Sequence, residues 1–184
     1  MKINLNIEGT TREYNFKNYT EMVAFLAKHQ INYEFPNGVI AHTKDIVKSF
    51  AKYMNGIFKI YTVDLSAAVF DDKWLLDELR YFLTRNSNNK LSVIVQNTEL
   101  LTKKRGFYTV LQEFFNTPQI EFKHYTKGKG GRFMTLQNAF RMETQRTSKE
   151  NFCALVNFSD EKYSNTLDKY FHTAYQAANT TYFK

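Results

Sequence analysis

The sequence predicts an α/β protein: a mixed sheet with helices on both faces. Three observations carry that prediction. Ile57–Val63, Leu91–Gln96 and Ile120–His124 are short runs with the β-branched and aromatic content of strands. The segments between them space apolar residues at helical intervals, as Leu75, Leu76, Leu79, Phe82 and Leu83 do. Strand and helix therefore alternate, which is the pattern of a sheet covered by helices.

Each element follows from local signals. Ile3, Leu5 and Ile7 alternate, Gly9 supplies a turn, and Tyr14 and Phe16 alternate after it, which predicts a β-hairpin. Tyr19, Met22, Val23 and Leu26 mark one face of a helix, with Asn18 or Thr20 as its N-cap. Ile31–Phe35 reads as a short strand stopped by Pro36-Asn37-Gly38. Residues 1–38 are thus expected to form a small N-terminal ββα extension, and residues 39–184 the main α/β domain. Thr43 is expected to cap a second helix, and Asp71 or Asp72 the helix carrying the leucine stripe. Phe107, Val110, Leu111 and Phe114 define another helix, closed by Pro118. Phe133–Leu136 and Ala139–Met142 are expected to pair as edge strands, and Ala154–Phe158 is the last strand. Ser159 or Asp160 opens a terminal helix on which Tyr163, Leu167, Tyr170 and Ala174 align.

Composition narrows the function classes. Among 184 residues, 25 Lys and Arg stand against 18 Asp and Glu, a net charge of +7 that draws the chain toward polyanions. Cys153 is the single cysteine, so neither an internal disulfide nor a cysteine zinc cluster can form. Its neighbours Phe152, Ala154 and Leu155 predict a buried thiol. No apolar run of about 18 residues occurs, which predicts no membrane span and a cytoplasmic protein. No pattern calls for a cofactor, and His29, His42, His124 and His172 show no metal-ligand spacing.

The strongest candidate site is the segment Lys123-His124-Tyr125-Thr126-Lys127-Gly128-Lys129-Gly130-Gly131-Arg132. Glycines let backbone N–H groups approach a phosphate, lysines add charge, and a tyrosine ring can stack on a base. Lys123, His124, Tyr125, Lys127, Lys129 and Arg132 are the candidate phosphate- or nucleic-acid-binding residues. The spacing is not that of a P-loop. A solvated hairpin tip would have the same composition. Lys103-Lys104-Arg105 stand either at a helix N-terminus, where cations are unfavourable unless a phosphate binds, or in the loop before Gly106. Asp64, Asp71 and Asp72 have the look of a carboxylate cluster at a strand end, although helix capping explains the last two.

The order Phe58–Leu65, Leu75–Thr84, Leu91–Gln96, Phe107–Phe115, Ile120–Phe122 and Ala154–Asp160 resembles one half of a phospholipase-D-like domain. The resemblance covers roughly three quarters of the chain. That family carries H-x-K-x4-D, with histidine as nucleophile and lysine on the phosphate. Where the resemblance places the motif, this chain reads Gly131-Arg132-Phe133-Met134-Thr135-Leu136-Gln137-Asn138, without the histidine, lysine or aspartate. His42-Thr43-Lys44 matches H-x-K alone, but its acidic position is Ser49 and the segment reads as a helix start. The resemblance thus implies a degenerate member with no catalytic residue, a phosphate-friendly groove and pairing as a homodimer. Three readings follow: a non-catalytic binding module for nucleic acid or another phosphate-rich ligand; a protein-interaction or regulatory subunit; and a divergent phosphodiesterase or nuclease using His124 and Lys127.

Overall fold

The N-terminal alternation folds as a hairpin. In the computed structural model, which describes residues 1–99, 106–126, 131–146 and 152–180, β1 (Lys2–Ile7) and β2 (Thr10–Asn15) pair antiparallel with Ile7 opposite Thr10. Glu8 and Gly9 both take positive φ, 52° and 79°, as a two-residue hairpin turn requires. Helix α1 (Tyr19–Lys28) starts at Asn18, whose Oδ1 accepts the Glu21 N–H at 2.9 Å.

The strand expected over Ile31–Phe35 is displaced. β3 is Phe35–Asn37 and pairs antiparallel with Val156, Leu155 and Ala154. Pro36 is tolerated because β3 is the outermost strand, where a missing N–H breaks no ladder. Helix α2 (Ile40–Tyr53) begins before Thr43. Val39 is the N-cap without a side-chain bond, and the Thr43 hydroxyl donates instead to Asn37 Oδ1 at 3.0 Å.

Strand β4 (Ile57–Thr62) is followed by a short helix α3 (Ala67–Phe70) that the sequence patterns do not announce. Helix α4 (Lys73–Arg85) is capped by Asp72, whose Oδ1 accepts the Leu75 N–H at 3.0 Å. Lys44 and Lys48 each approach the same carboxylate at 3.2 Å, tying α2 to α4. Burial pushes the Asp72 carboxyl up, but the Leu75 N–H and the two lysines outweigh it and hold the group below its ordinary range. A lowered folded pKa stabilises the fold above the unfolded value, near 3.9, and that stability disappears as pH falls through the folded value. Asp72→Ala is therefore expected to lower stability by about 1 kcal/mol at neutral pH. The gap from the parent protein should close below about pH 4, as urea titrations at two pH values will measure. A gap of equal size in acid would contradict a role for the charge.

The remaining elements are β5 (Lys90–Val95), α5 (Phe107–Phe114), β6 (Ile120–His124), β7 (Phe133–Leu136), β8 (Ala139–Arg146), β9 (Phe152–Asn157), α6 (Glu161–Ala177) and β10 (Asn179–Thr180). Among the described residues, eight strands form one mixed sheet in the order β10-β6-β5-β4-β7-β8-β9-β3. β4, β5 and β6 are parallel, and the other pairings are antiparallel. Alternate residues serve the two faces. Phe58, Ile60, Leu91, Val93, Met134 and Leu136 join a core with α1, α2, α4 and α5. Tyr61, Ile94, Phe133 and Phe140 meet Leu167, Phe171 and Ala174 of α6.

Three expectations change here. β7 and β8 pair as a hairpin but are not edge strands; β7 hydrogen-bonds to β4, and all four of its residues are buried. Cys153 is exposed, because Phe152 and Ala154 take the inward positions of β9 and the period-two alternation turns Cys153 out. On α6 the buried stripe is Ser164, Leu167, Phe171 and Ala174. Tyr163 and Tyr170 flank it, partly exposed, with their rings packed on Phe140 and on Tyr61 and Phe133. Their phenols can stay wet while the rings pack. The apolar face of α6 is thus spent on the sheet of its own chain.

Candidate binding site

Register gathers several candidate residues at one end of the sheet. Thr62 pairs with Val95 and Val95 with His124, so the three parallel strands end together. β7 starts at the same end, with Phe133 opposite Tyr61. Ligands collect at such strand ends because side chains and backbone groups converge there without sheet partners.

On the α2 side of this end lies a cavity of 330 Å³, lined by Asp64, Phe70, Arg132, Arg141, Glu143 and Phe152 among others. Arg132 precedes β7, and its carbonyl accepts the Glu143 N–H at 2.8 Å, which sets the two residues side by side. Its guanidinium stands 3.7 Å from Asp64 and 3.7 Å from Glu143. Glu143 also stands 3.7 Å from Arg141. Arg141 is 2% exposed. Its Nε donates to Asn37 Oδ1 at 2.8 Å and its Nη2 to Thr43 Oγ1 at 3.3 Å. One arginine of β8 therefore joins the edge strand β3 and helix α2 behind the cavity, and a buried charge is held because its donors find acceptors.

The sequence-predicted residues divide between the two faces. Lys123 and Tyr125 lie on the α6 side. Lys123 Nζ donates to the Tyr175 carbonyl at 2.8 Å and sits 3.8 Å from the centre of that ring. Tyr125 packs against the α6 core. Burial, with Glu121 alongside, pushes the Tyr175 phenol up to about 12. Burial and the neighbouring Tyr170 phenol also raise Tyr61 well above its ordinary value. His124 places Nε2 3.2 Å from the Gln96 carbonyl. Arg132 is on the opposite face, in the cavity. Lys127 and Lys129 lie outside the described residues, as do Lys103, Lys104 and Arg105.

Asp64, Asp71 and Asp72 do not form one cluster. Asp64 meets Arg132 and Asp72 caps α4, while Asp71 closes the C-terminus of α3. His42, Thr43 and Lys44 diverge within the first turn of α2: His42 stacks on Tyr19, Thr43 bonds Asn37, and Lys44 reaches Asp72. Among the described residues, no group of three His, Cys, Asp or Glu side chains is placed to hold a metal ion. No helix among them is long and apolar enough to cross a membrane. Arg141 and Glu143 escaped the sequence reading. The signal available was a pair of charges two apart on an otherwise apolar strand, Ala139-Phe140-Arg141-Met142-Glu143, which puts both on one face.

No protein-family model matches this sequence, and no curated protein matches it. Among solved structures the chain is similar to Nuc from Salmonella typhimurium, a phospholipase D family member. The identity is 7% and the TM-score 0.57, over 82% of this chain and 100% of that one. The fold is phospholipase-D-like. NucT from Helicobacter pylori is similar at 9% identity and a TM-score of 0.61, over 81% of this chain and 99% of that one. TrmBL2, an archaeal chromatin protein with a novel mode of DNA binding, is similar at 10% identity and a TM-score of 0.66. That match covers 88% of this chain and 59% of TrmBL2, so the chain spans about three-fifths of that protein's length. In this fold the mouth of β7 carries Arg132 and Phe133, and the neighbouring charges are Asp64 and Glu143.

Proposed function

We propose that the chain is a non-catalytic binding module for nucleic acid or another phosphate-rich ligand. The observation that supports it most is where the basic segment attaches. β6 ends in Lys123 and His124, and β7 begins on the far side of β5 and β4 at the same end of the sheet. The residues joining them include Tyr125, Lys127, Lys129 and Arg132. The net charge of +7 acts in the same direction, and TrmBL2, which shares the fold, binds DNA. Lys123, Lys127 and Lys129 supply the phosphate contacts in this reading, and Tyr125 a stacking ring. Arg132 contributes less, since two carboxylates already face it.

Contacts of this kind give salt-dependent binding with little sequence preference. With three phosphate contacts, affinity for duplex DNA is expected to fall about 40-fold as salt rises fourfold. Replacing Lys123, Lys127 and Lys129 together by alanine should remove most of that dependence. Fluorescence polarisation with labelled DNA and RNA at two salt concentrations measures both. Absent binding at low salt, or binding indifferent to the triple substitution, would refute the proposal.

The nuclease alternative requires His124 to attack or accept a proton. Its Nε2 lies 3.2 Å from the Gln96 carbonyl, so that role would fall to Nδ1 or require this contact to break. The protein-interaction alternative has one observation in its favour. Trp74 is 76% exposed and Tyr81 57% exposed, two turns apart on α4, and aromatic residues in water mark partner surfaces.

A further inference from the structure

The cavity behind Arg132 has a charge pattern that does not suit a phosphate. Two guanidinium groups and two carboxylates line it, Arg132 and Arg141 against Asp64 and Glu143. A phosphate placed on Arg132 would stand beside both carboxylates, which lie 3.7 Å from that guanidinium. Like charges at such distances cost affinity. A ligand carrying both signs meets a partner at each end.

The four charges are not equivalent. Arg141 and Glu143 form the rear wall, 2% and 7% exposed, with Arg141 fixed by Asn37 and Thr43. Arg132 and Asp64 stand at the mouth, 20% and 25% exposed. Their separation of 3.7 Å is about 1 Å longer than a charge-assisted hydrogen bond. The pair is therefore open enough to exchange its contact for stronger ones with a ligand. Beside these charges, Val69, Phe70, Met134 and Phe152 provide an apolar wall. A volume of 330 Å³ is at the small end of ligand pockets and suits a molecule of amino-acid size.

We propose that this cavity binds a small zwitterion with an apolar side chain, an α-amino acid in chemical class, its carboxylate on Arg132 and its ammonium on Asp64. The site lies on the opposite face of the sheet from Lys123 and Tyr125, and neither reading depends on the other. Bound ligand would couple the residue leading into β7, Arg132, to the loop after β4 that carries Asp64.

The test uses the full chain and five probes. L-phenylalanine and L-leucine carry both charges. N-acetyl-L-phenylalanine keeps only the carboxylate, phenethylamine keeps only the ammonium, and inorganic phosphate is the fifth. At a hundredfold excess over Kd, a zwitterion is expected to raise Tm by about 5–10 °C. Each single-charge analogue should bind at least about tenfold more weakly, having lost one charged contact. Asp64→Asn should erase the preference for phenylalanine over its N-acetyl form, and Arg132→Gln the preference over phenethylamine. Circular dichroism verifies that both variants fold, and the analogue series on the unmodified chain tests the proposal without them. No Tm rise with either amino acid, tighter binding of phosphate than of both, or equal affinity for the zwitterions and their single-charge analogues would overturn it.

Discussion

Replacing Arg141 by methionine is expected to lower the free energy of unfolding by about 3–5 kcal/mol. The guanidinium is almost wholly buried; it donates hydrogen bonds to Asn37 on β3 and Thr43 on α2 and stands 3.7 Å from the Glu143 carboxylate on β8 itself. Methionine fills similar volume, so the loss is chiefly electrostatic. The buried Glu143 carboxylate would lose its ion pair with Arg141, and Asn37 Oδ1 would lose its strongest donor. The double replacement Arg141→Met with Glu143→Leu should be less damaging than the single one, because no carboxylate is then stranded. Urea unfolding followed by far-ultraviolet circular dichroism measures the three proteins. A loss below about 1 kcal/mol for the single variant would mean that the arginine's desolvation cancels its contacts.

Gly106→Ala should be nearly as costly, at about 3 kcal/mol, for a steric reason. Gly106 precedes α5 with φ 61° and ψ −130°, a conformation open to glycine and strained for any other residue. A Cβ there would run into the Asp71 carboxylate and lie 2.9 Å from the Phe70 carbonyl oxygen. Relaxation is restricted, since the Gly106 carbonyl accepts from the Thr109 N–H at 3.0 Å and its hydroxyl at 2.8 Å. Phe70 and Phe107 also pack edge to face with ring centres 5.2 Å apart. Thermal unfolding should show Tm falling by roughly 6–12 °C. An unchanged Tm would show that α3 and α5 yield freely where they meet.

Local patterns told much of the fold. Alternation and two-residue turns gave the hairpins, and the leucine stripe of α4 with Asp72 before it gave that helix and its cap. These signals work because neighbours in sequence share the interaction. What failed depended on partners far along the chain. Phe133–Leu136 reads the same whether central or at an edge, and its place beside β4 is set by residues more than seventy positions away. The strand at Phe35–Asn37 contains a proline and exists because β9 offers an edge to it. Tyr163 and Tyr170 obey the helical period as well as Ser164 and Phe171 do, and only the sheet beneath chooses between the two stripes.

The candidate site divides in the same way. The basic composition of residues 123–132 is local and was visible. That Arg132 turns away from Lys123 and Tyr125, toward Asp64 and Glu143, follows from β7 entering the sheet antiparallel beside β4. Of that run, Lys123 and Arg132 are placed on opposite faces of the sheet.

Trp74 has a spectroscopic consequence. It is the sole tryptophan, and three quarters of its surface is in water in the folded chain. Its emission should already have the long wavelength of a solvated indole, so denaturation will barely move the band, and tryptophan fluorescence is the wrong signal for following unfolding. The same property makes it a sensitive reporter of docking at α4. A partner that covers this helix must dehydrate the indole and shift its emission to the blue, whereas DNA held only by the lysine surface leaves the spectrum where it was.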